Sequence, residues 1–159
     1  MTVLSDKSIT KSIEDKEITI KPFREMNLTP NGYDLTISEV EIPDKKKIIE
    51  GNLIIAPGER FAISTEEIIC CGKNHCAQLW LRTSWARKGI ICSFGKVDSG
   101  FKGNLTLLGL NSSEDEVDIK IGNTFAQIVF EKLSTPADEL YSDRSGNYQD
   151  QKGITWSKE

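Results

Sequence analysis

The chain has 159 residues, with 20 Lys and Arg against 24 Asp and Glu, a formal charge of −4 and 38% hydrophobic residues. That length supplies one core, and the apolar fraction excludes a chain disordered throughout. The acidic balance argues against holding nucleic acid through a broad basic face, and no apolar run approaches the roughly 20 residues of a membrane span.

The N-terminal residues from Met1 to Lys7 lack the charged-then-apolar pattern of a secretory leader, so a soluble cytoplasmic protein is expected. Ser5 reads as an N-cap, Asp6 suits the positive end, and Ile9 and Ile13 stand four apart on one face, which predicts one short helix. Beyond it come short apolar runs separated by turn residues. Residues 18–20 end at Pro22, residues 35–37 follow Pro30-Asn31-Gly32, and residues 53–55 lead into Pro57-Gly58 and then residues 61–63. Later runs cover residues 78–81, 90–94, 105–110, 117–121 and 126–133. Lys45-Lys46-Lys47 reads as a solvated loop or edge strand rather than a phosphate patch.

Many short strands with Gly and Pro punctuation and almost no helix predict an all-β barrel or jelly-roll-like sandwich. Residues 1–133 would form this β domain with its N-terminal helix. Residues 134–159 form a polar tail, either disordered or ordered against a ligand or a neighbouring subunit.

Three of the four cysteines, Cys70, Cys71 and Cys76, crowd around the lone histidine, His75, while Cys92 lies apart. Cys71 and Cys76 fall outside the usual Cys-x2–4-Cys zinc spacing, and neighbouring Cys70 and Cys71 would face opposite sides of a strand. Buried reduced thiols are the expectation, with a structural metal as the lesser alternative.

Four segments carry chemistry. Arg82-Thr83-Ser84-Trp85-Ala86-Arg87-Lys88-Gly89 mixes hydroxyls and cations after a strand, which suits phosphate oxygens; an ordinary turn would read the same way. Gly95-Lys96-Val97-Asp98-Ser99-Gly100-Phe101-Lys102-Gly103 describes a tight hairpin that a ligand can approach closely, and equally a hairpin with a hydrated Asp. Asn31-Gly32-Tyr33-Asp34-Leu35 brings an Asp into a strand. Gly122-Asn123-Thr124-Phe125-Ala126-Gln127 is a turn feeding an apolar strand.

In this order the four resemble the motifs of the dUTPase and dCTP deaminase superfamily of trimeric all-β nucleotide enzymes. Asn31 to Leu35 resembles the first motif in its dUTPase form, A-G-Y-D-L, and Arg82 to Ala86 the second, R-S-x-x-A. Gly95 to Gly103 is similar to G-x-I-D-x-x-Y-x-G, and Gly122 to Gln127 to G-x-x-x-A-Q. The start, Leu4-Ser5-Asp6-Lys7-Ser8-Ile9, and the tail, Tyr148-Gln149-Asp150-Gln151-Lys152-Gly153-Ile154-Thr155, resemble the deaminase branch instead, which ends in Y-Q-x-Q-x-G. The resemblance implies a dUTPase-like distorted jelly roll, a homotrimer with sites at subunit interfaces and a tail that closes the active site.

It also implies roles. Asp98 would orient water for attack on the α-phosphorus and contact the sugar 3′-hydroxyl. Thr83, Ser84, Arg87 and Gln127 would hold the phosphates, and Arg82 would pair with Asp34 to fix its motif. Phe101 would stack under the deoxyribose, and backbone groups from Gly95 onward would select the base. Mg2+ would be held by the triphosphate rather than by the chain. The tail lacks the Gly-rich, Phe-containing fifth dUTPase motif, so Lys152 would supply its cation and Tyr148 or Trp156 its cover. The deaminase branch carries a proton-shuttling Glu in T-L-E-L; here the stretch is Thr106-Leu107-Leu108-Gly109-Leu110, with Leu108 at that position. The expectation is therefore a Mg2+-dependent dUTP diphosphatase that binds a deoxynucleoside triphosphate and copies of itself, not nucleic acid or membrane. The alternatives are a dCTP deaminase, a bifunctional enzyme, or a catalytically silent nucleotide-binding protein on the same fold.

Overall fold

In the computed structural model, which describes residues 2–157, the chain opens with β1 (Thr2–Val3) and α1 (Asp6–Glu14). Ser5 caps the helix, accepting from the Ser8 amide at 3.3 Å, and Ile9 is fully buried on the face turned to the core. β2 (Ile18–Lys21) follows, then a single 3-10 turn over Glu25–Asn27, β3 (Leu28–Thr29) and the eleven-residue β4 (Gly32–Ile42). β5 (Lys46–Ile48), β6 (Asn52–Ile55), β7 (Arg60–Thr65), β8 (Ile68–Cys71) and β9 (His75–Leu81) lead to the one-turn α2 (Thr83–Ala86). Then come β10 (Ile90–Cys92), β11 (Lys96–Val97), β12 (Lys102–Gly103), β13 (Thr106–Asn111), β14 (Val117–Lys120) and β15 (Thr124–Lys132), and α3 (Tyr141–Arg144) lies in the tail.

The main sheet runs β10-β13-β7-β4-β15-β9-β11, with β1 on β15 and both β3 and β5 on β4; β12-β8-β2 and β14-β6 are smaller sheets. The architecture is all-β, as the short punctuated runs predict. β7 lies within the main sheet, and all its residues from Phe61 to Thr65 are buried. Lys46 and Lys47 lie exposed on the edge strand β5.

Three features differ from the sequence expectation. α2 and α3 are short helices where a turn and a polar tail are expected, because four-residue helices present no periodicity. β8 lies outside the expected runs because only its first two residues, Ile68 and Ile69, are β-branched and cysteines follow. The tail, expected to be disordered or ordered against a ligand or a neighbouring subunit, orders instead against this chain's own residues 102–106, and Met1, Lys158 and Glu159 lie outside the described residues.

β4 contains a bulge. Its register with β7 pairs Ile37 with Thr65 but Glu39 with Ser64, so β4 advances two residues while β7 advances one. Before the bulge Tyr33, Leu35 and Ile37 are buried; after it Val40 and Ile42 are.

Beside β4 lies a buried carboxylate. Glu67 is wholly inaccessible; its Oε2 accepts from the Thr36 amide at 2.9 Å, while Oε1 has no hydrogen-bond donor and stands 3.9 Å from an equally unpartnered Arg24 Nη1. Burial pushes this carboxyl above the ordinary glutamate value, against the opposing Thr36 bonds. A raised folded value means the group contributes fully below its ordinary pKa and loses that contribution as pH rises through the folded one. The stability difference between the parent chain and Glu67→Gln is therefore expected to shift in favour of Gln as pH rises above the ordinary glutamate value, read from thermal melts across the pH range.

Candidate active site

The segment after β11, expected as a hairpin, is instead a tight loop crossing from one sheet to another, because its two flanking strands pair with different partners. Lys96 and Val97 pair with Gln78 and Ala77 of β9, and Lys102 and Gly103 with Cys70 and Ile69 of β8. Between them the Gly100 amide donates to the Cys71 carbonyl at 2.7 Å and the Phe101 amide to the Asp98 carbonyl at 3.1 Å. Gly100 has φ of +86°, and a Cβ there would lie 2.5 Å from Leu140 Cβ, so only glycine permits this approach. Ser99 Oγ donates to the His75 carbonyl at 2.6 Å. The turn is clamped from below, and the Asp98 side chain stands exposed at its rim.

That rim opens on a hollow of about 360 Å³. Gly95, Asp98 and Phe101 line it from β11 and the loop around it, Leu105, Thr106 and Leu108 from β13 and its approach, and Tyr141, Tyr148 and Trp156 from the tail. Phe101 is 6% exposed and meets Tyr141 edge-on, with centroids 5.6 Å apart at 71°. The Tyr141 hydroxyl accepts from the Tyr148 amide at 3.0 Å, which fixes both rings on one side. Asp98 is the one carboxylate among the described residues lining the hollow. Leu108 lines it as well, 42% exposed, and adds an apolar branch to its wall.

A second, smaller hollow of about 220 Å³ is lined by Arg82, Ser84, Trp85, Lys88, Asn123 and Thr124. Arg82 Nε lies 2.9 Å from Asp34 Oδ2, and its Nη1 donates to Thr124 Oγ1. Burial pushes the Asp34 carboxyl up, and Arg82 and a hydrogen bond from Gln127 oppose that. Gln127 faces Asp34 across β15 and β4 and donates to Thr29 Oγ1 at 3.0 Å. Trp85 is buried and donates from its indole nitrogen to the Thr124 carbonyl at 2.8 Å, which pins α2. Thr83, Ser84 and Arg87 are left exposed on the outside of that turn.

The chain thus brings Gly95, Asp98, Phe101 and Tyr148 into one hollow, and Arg82 and Ser84 into another that shares no lining residue with it. Lys152 is exposed on the tail and lines neither. Tyr141 also lines the first hollow, and no motif points to it; Gln151 and Thr155, which the tail motif contains without an assigned role, line it as well.

The cysteines take no part in either hollow. Cys71 and Cys76 are buried, Cys70 and Cys92 half-buried, and all four are free thiols; burial drives the Cys71 thiol far up. His75 is buried with Nδ1 unpartnered and Nε2 3.8 Å from Glu17, and burial lowers its pKa. Among the described residues no three His, Cys, Asp or Glu side chains are grouped to hold a metal ion.

Residues 36–133 match the family described as dCTP deaminase-like. The chain belongs to that family. It is 40% identical over 146 residues to a dCTP deaminase of Pyrococcus horikoshii, covering 90% of this chain and 92% of that protein. It is also 35% identical over 160 residues to a probable deoxyuridine 5′-triphosphate nucleotidohydrolase of Sulfolobus islandicus rod-shaped virus 1, covering 99% of each. Among solved structures, the 2′-deoxycytidine 5′-triphosphate deaminase of Agrobacterium tumefaciens superposes with a TM-score of 0.70 at 15% identity, over 83% of this chain. The match takes in 49% of that deaminase, so this member of the dCTP deaminase-like family spans about half its length. Among the described residues no helix is long and apolar enough to cross a membrane.

Proposed function

We propose that this chain acts on a pyrimidine deoxynucleoside triphosphate and that its own pocket favours hydrolysis between the α- and β-phosphates, dUTP + H2O → dUMP + pyrophosphate. One observation carries the choice: Leu108 lines the Asp98 hollow where deamination needs a group that takes and returns a proton, and Asp98 is the one carboxylate there among the described residues. Hydrolysis asks less of the chain. Asp98 orients a water, cationic and hydroxyl donors neutralise developing charge, and the apolar face of Phe101 seats the sugar.

The donor set suits a Mg2+ ion that arrives on the triphosphate, because Asp98 stands apart from any second carboxylate lining the hollow. Bound there, Mg2+ would supply charge neutralisation on the phosphate oxygens. The separation of the two hollows fits a homotrimer in which Thr83, Ser84, Arg87 and Gln127 of one subunit serve the Asp98 hollow of the next. The tail residues Tyr148 and Trp156 would cover the base. Lys152, exposed beside them, is free to swing onto a phosphate.

Deamination of dCTP is the second reading, and the comparisons support it better than hydrolysis: relatives at about 40% identity carry that name. The deciding experiment incubates the protein with Mg2+ and dUTP, dCTP or dTTP in turn and measures pyrophosphate and ammonia together. Pyrophosphate from dUTP without ammonia from dCTP is expected. Ammonia from dCTP would replace this reading with deamination and move the proton carrier away from position 108. Nucleotide binding without either product would mark a silent member of the fold.

A further inference from the structure

We propose that Glu39 and Glu41 of β4 are positioning residues that latch the C-terminal strap, so that Thr155 and Trp156 form a wall of the Asp98 hollow. The proposal rests on reading that hollow as the nucleotide site. Residues 149–156 cross the chain as a strap whose first half is held by residues 102–104. The Asp150 amide donates to the Lys102 carbonyl at 2.7 Å, and the Asn104 amide to the Gln151 carbonyl at 3.1 Å. Gly103 and Gln151 form a parallel bridge. These bonds explain why the strap starts where it does, but not why its far end turns onto the hollow.

The far end is held by β4. The Ile154 amide donates to Glu39 Oε2 at 3.0 Å, and the Trp156 indole nitrogen donates to Glu41 Oε1 at 3.0 Å. Both acceptors are half-buried carboxylates on one face of the strand. The sheet register shows why they can reach. Glu39 pairs with Ser64, which pairs with Thr106; Glu41 pairs with Ala62, which pairs with Leu108. Each carboxylate therefore shares a row with a residue lining the hollow, two strand spacings or about 10 Å away, with a small side chain between. The strap spans those rows, because the Thr155 amide also donates to Thr106 Oγ1 at 3.0 Å.

Two further contacts tighten the latch. Gly153 has φ of +63°, and a Cβ there would stand 2.8 Å from Glu39 Oε1, so glycine lets the strap backbone settle onto the carboxylate. Arg60 places its guanidinium carbon 5.9 Å from the Trp156 ring centroid, on the face of the indole. Burial alone would raise the Glu39 carboxyl, but Lys47 Nζ at 2.8 Å and the Ile154 amide outweigh it and hold the group ionised as an acceptor. A carboxylate receiving an amide and an indole N–H makes stronger bonds than a neutral acceptor.

The test compares Glu39→Ala/Glu41→Leu with Glu39→Gln/Glu41→Gln, whose amide oxygens still accept, and with Gly153→Ala, which leaves β4 untouched. One readout is the rate of tryptic cleavage after Lys152, followed by mass; the other is the split between KM and kcat on the active nucleotide. The Ala/Leu and Gly153→Ala chains are expected to be cleaved about tenfold faster and to raise KM about tenfold with kcat within about threefold, while the Gln pair stays within about threefold of the parent in both. Unchanged cleavage in the Ala/Leu chain would overturn the latch. A kcat collapse in the Gln pair would overturn it too, by placing the carboxylates in the chemistry. Failure of the nucleotide reading would show separately, as absent turnover in the parent, while cleavage still reports the strap.

Discussion

Asp98→Asn is expected to lower kcat about 1,000-fold on the nucleotide that the parent turns over, while changing its binding by less than about threefold. The amide keeps the size of the carboxylate and its contact with a sugar hydroxyl, but it cannot draw a proton from an attacking water. The substitution leaves the turn intact, because the clamp on this loop uses the Asp98 carbonyl, the Ser99 hydroxyl and the Gly100 amide rather than the Asp98 side chain. Steady-state kinetics, paired with calorimetric binding of a non-hydrolysable imidotriphosphate, separates the two effects. A kcat loss below about tenfold would remove Asp98 from the reaction; loss of binding would make it an anchor for the sugar instead.

The largest loss of stability is expected at Phe125. This ring is wholly buried, meets Phe61 edge-on with centroids 6.0 Å apart, and lies 5.5 Å from Trp85. Phe125→Ala opens a cavity between the main sheet and α2 and should cost about 3–5 kcal/mol. For a chain of this size that lowers Tm by about 10 °C, measured by calorimetry at fixed protein concentration. The damage reaches function through Trp85, whose packing on Phe125 helps hold the turn that presents Thr83, Ser84 and Arg87. A loss below about 1 kcal/mol would show that the site collapses around the missing ring.

Much of this fold is written locally. The Ser5 cap, the Pro30-Asn31-Gly32 turn and the alternation of Val117 and Ile119 each name an element without help from the rest of the chain. The glycines around Asp98 likewise announce a tight turn, though not that its flanking strands pair with β9 and β8 rather than with each other, and the pairing of Arg82 with Asp34 is what the family resemblance implies. Other features depend on distance in space, which residue order does not encode. Nothing in the sequence shows that the Arg82–Lys88 turn and the Asp98 loop line different hollows of one chain. The strap is equally silent, since its bonds go to side chains and to residues 102–106 rather than to a periodic partner. β8 is hidden because cysteine is neither a strong strand signal nor a turn signal. Glu39 and Glu41 look like ordinary surface acids until Ile154 and Trp156 are seen against them.

The extra residue in β4 carries a consequence for how this strand can change over generations. Alternation on a strand has period two, so Leu35 and Ile37 face inward at odd numbers, and without the bulge Glu39 and Glu41 would follow them. The register shift reverses the phase, burying Val40 and Ile42 and turning both carboxylates outward. Losing one residue between Ile37 and Glu39 would remove the bulge and restore plain alternation after Ile37, leaving Glu39 and Glu41 outward and Val40 and Ile42 inward. Flattening the bulge at full length would instead drive both acids into the core, so the extra residue and the bulge that absorbs it are inherited together.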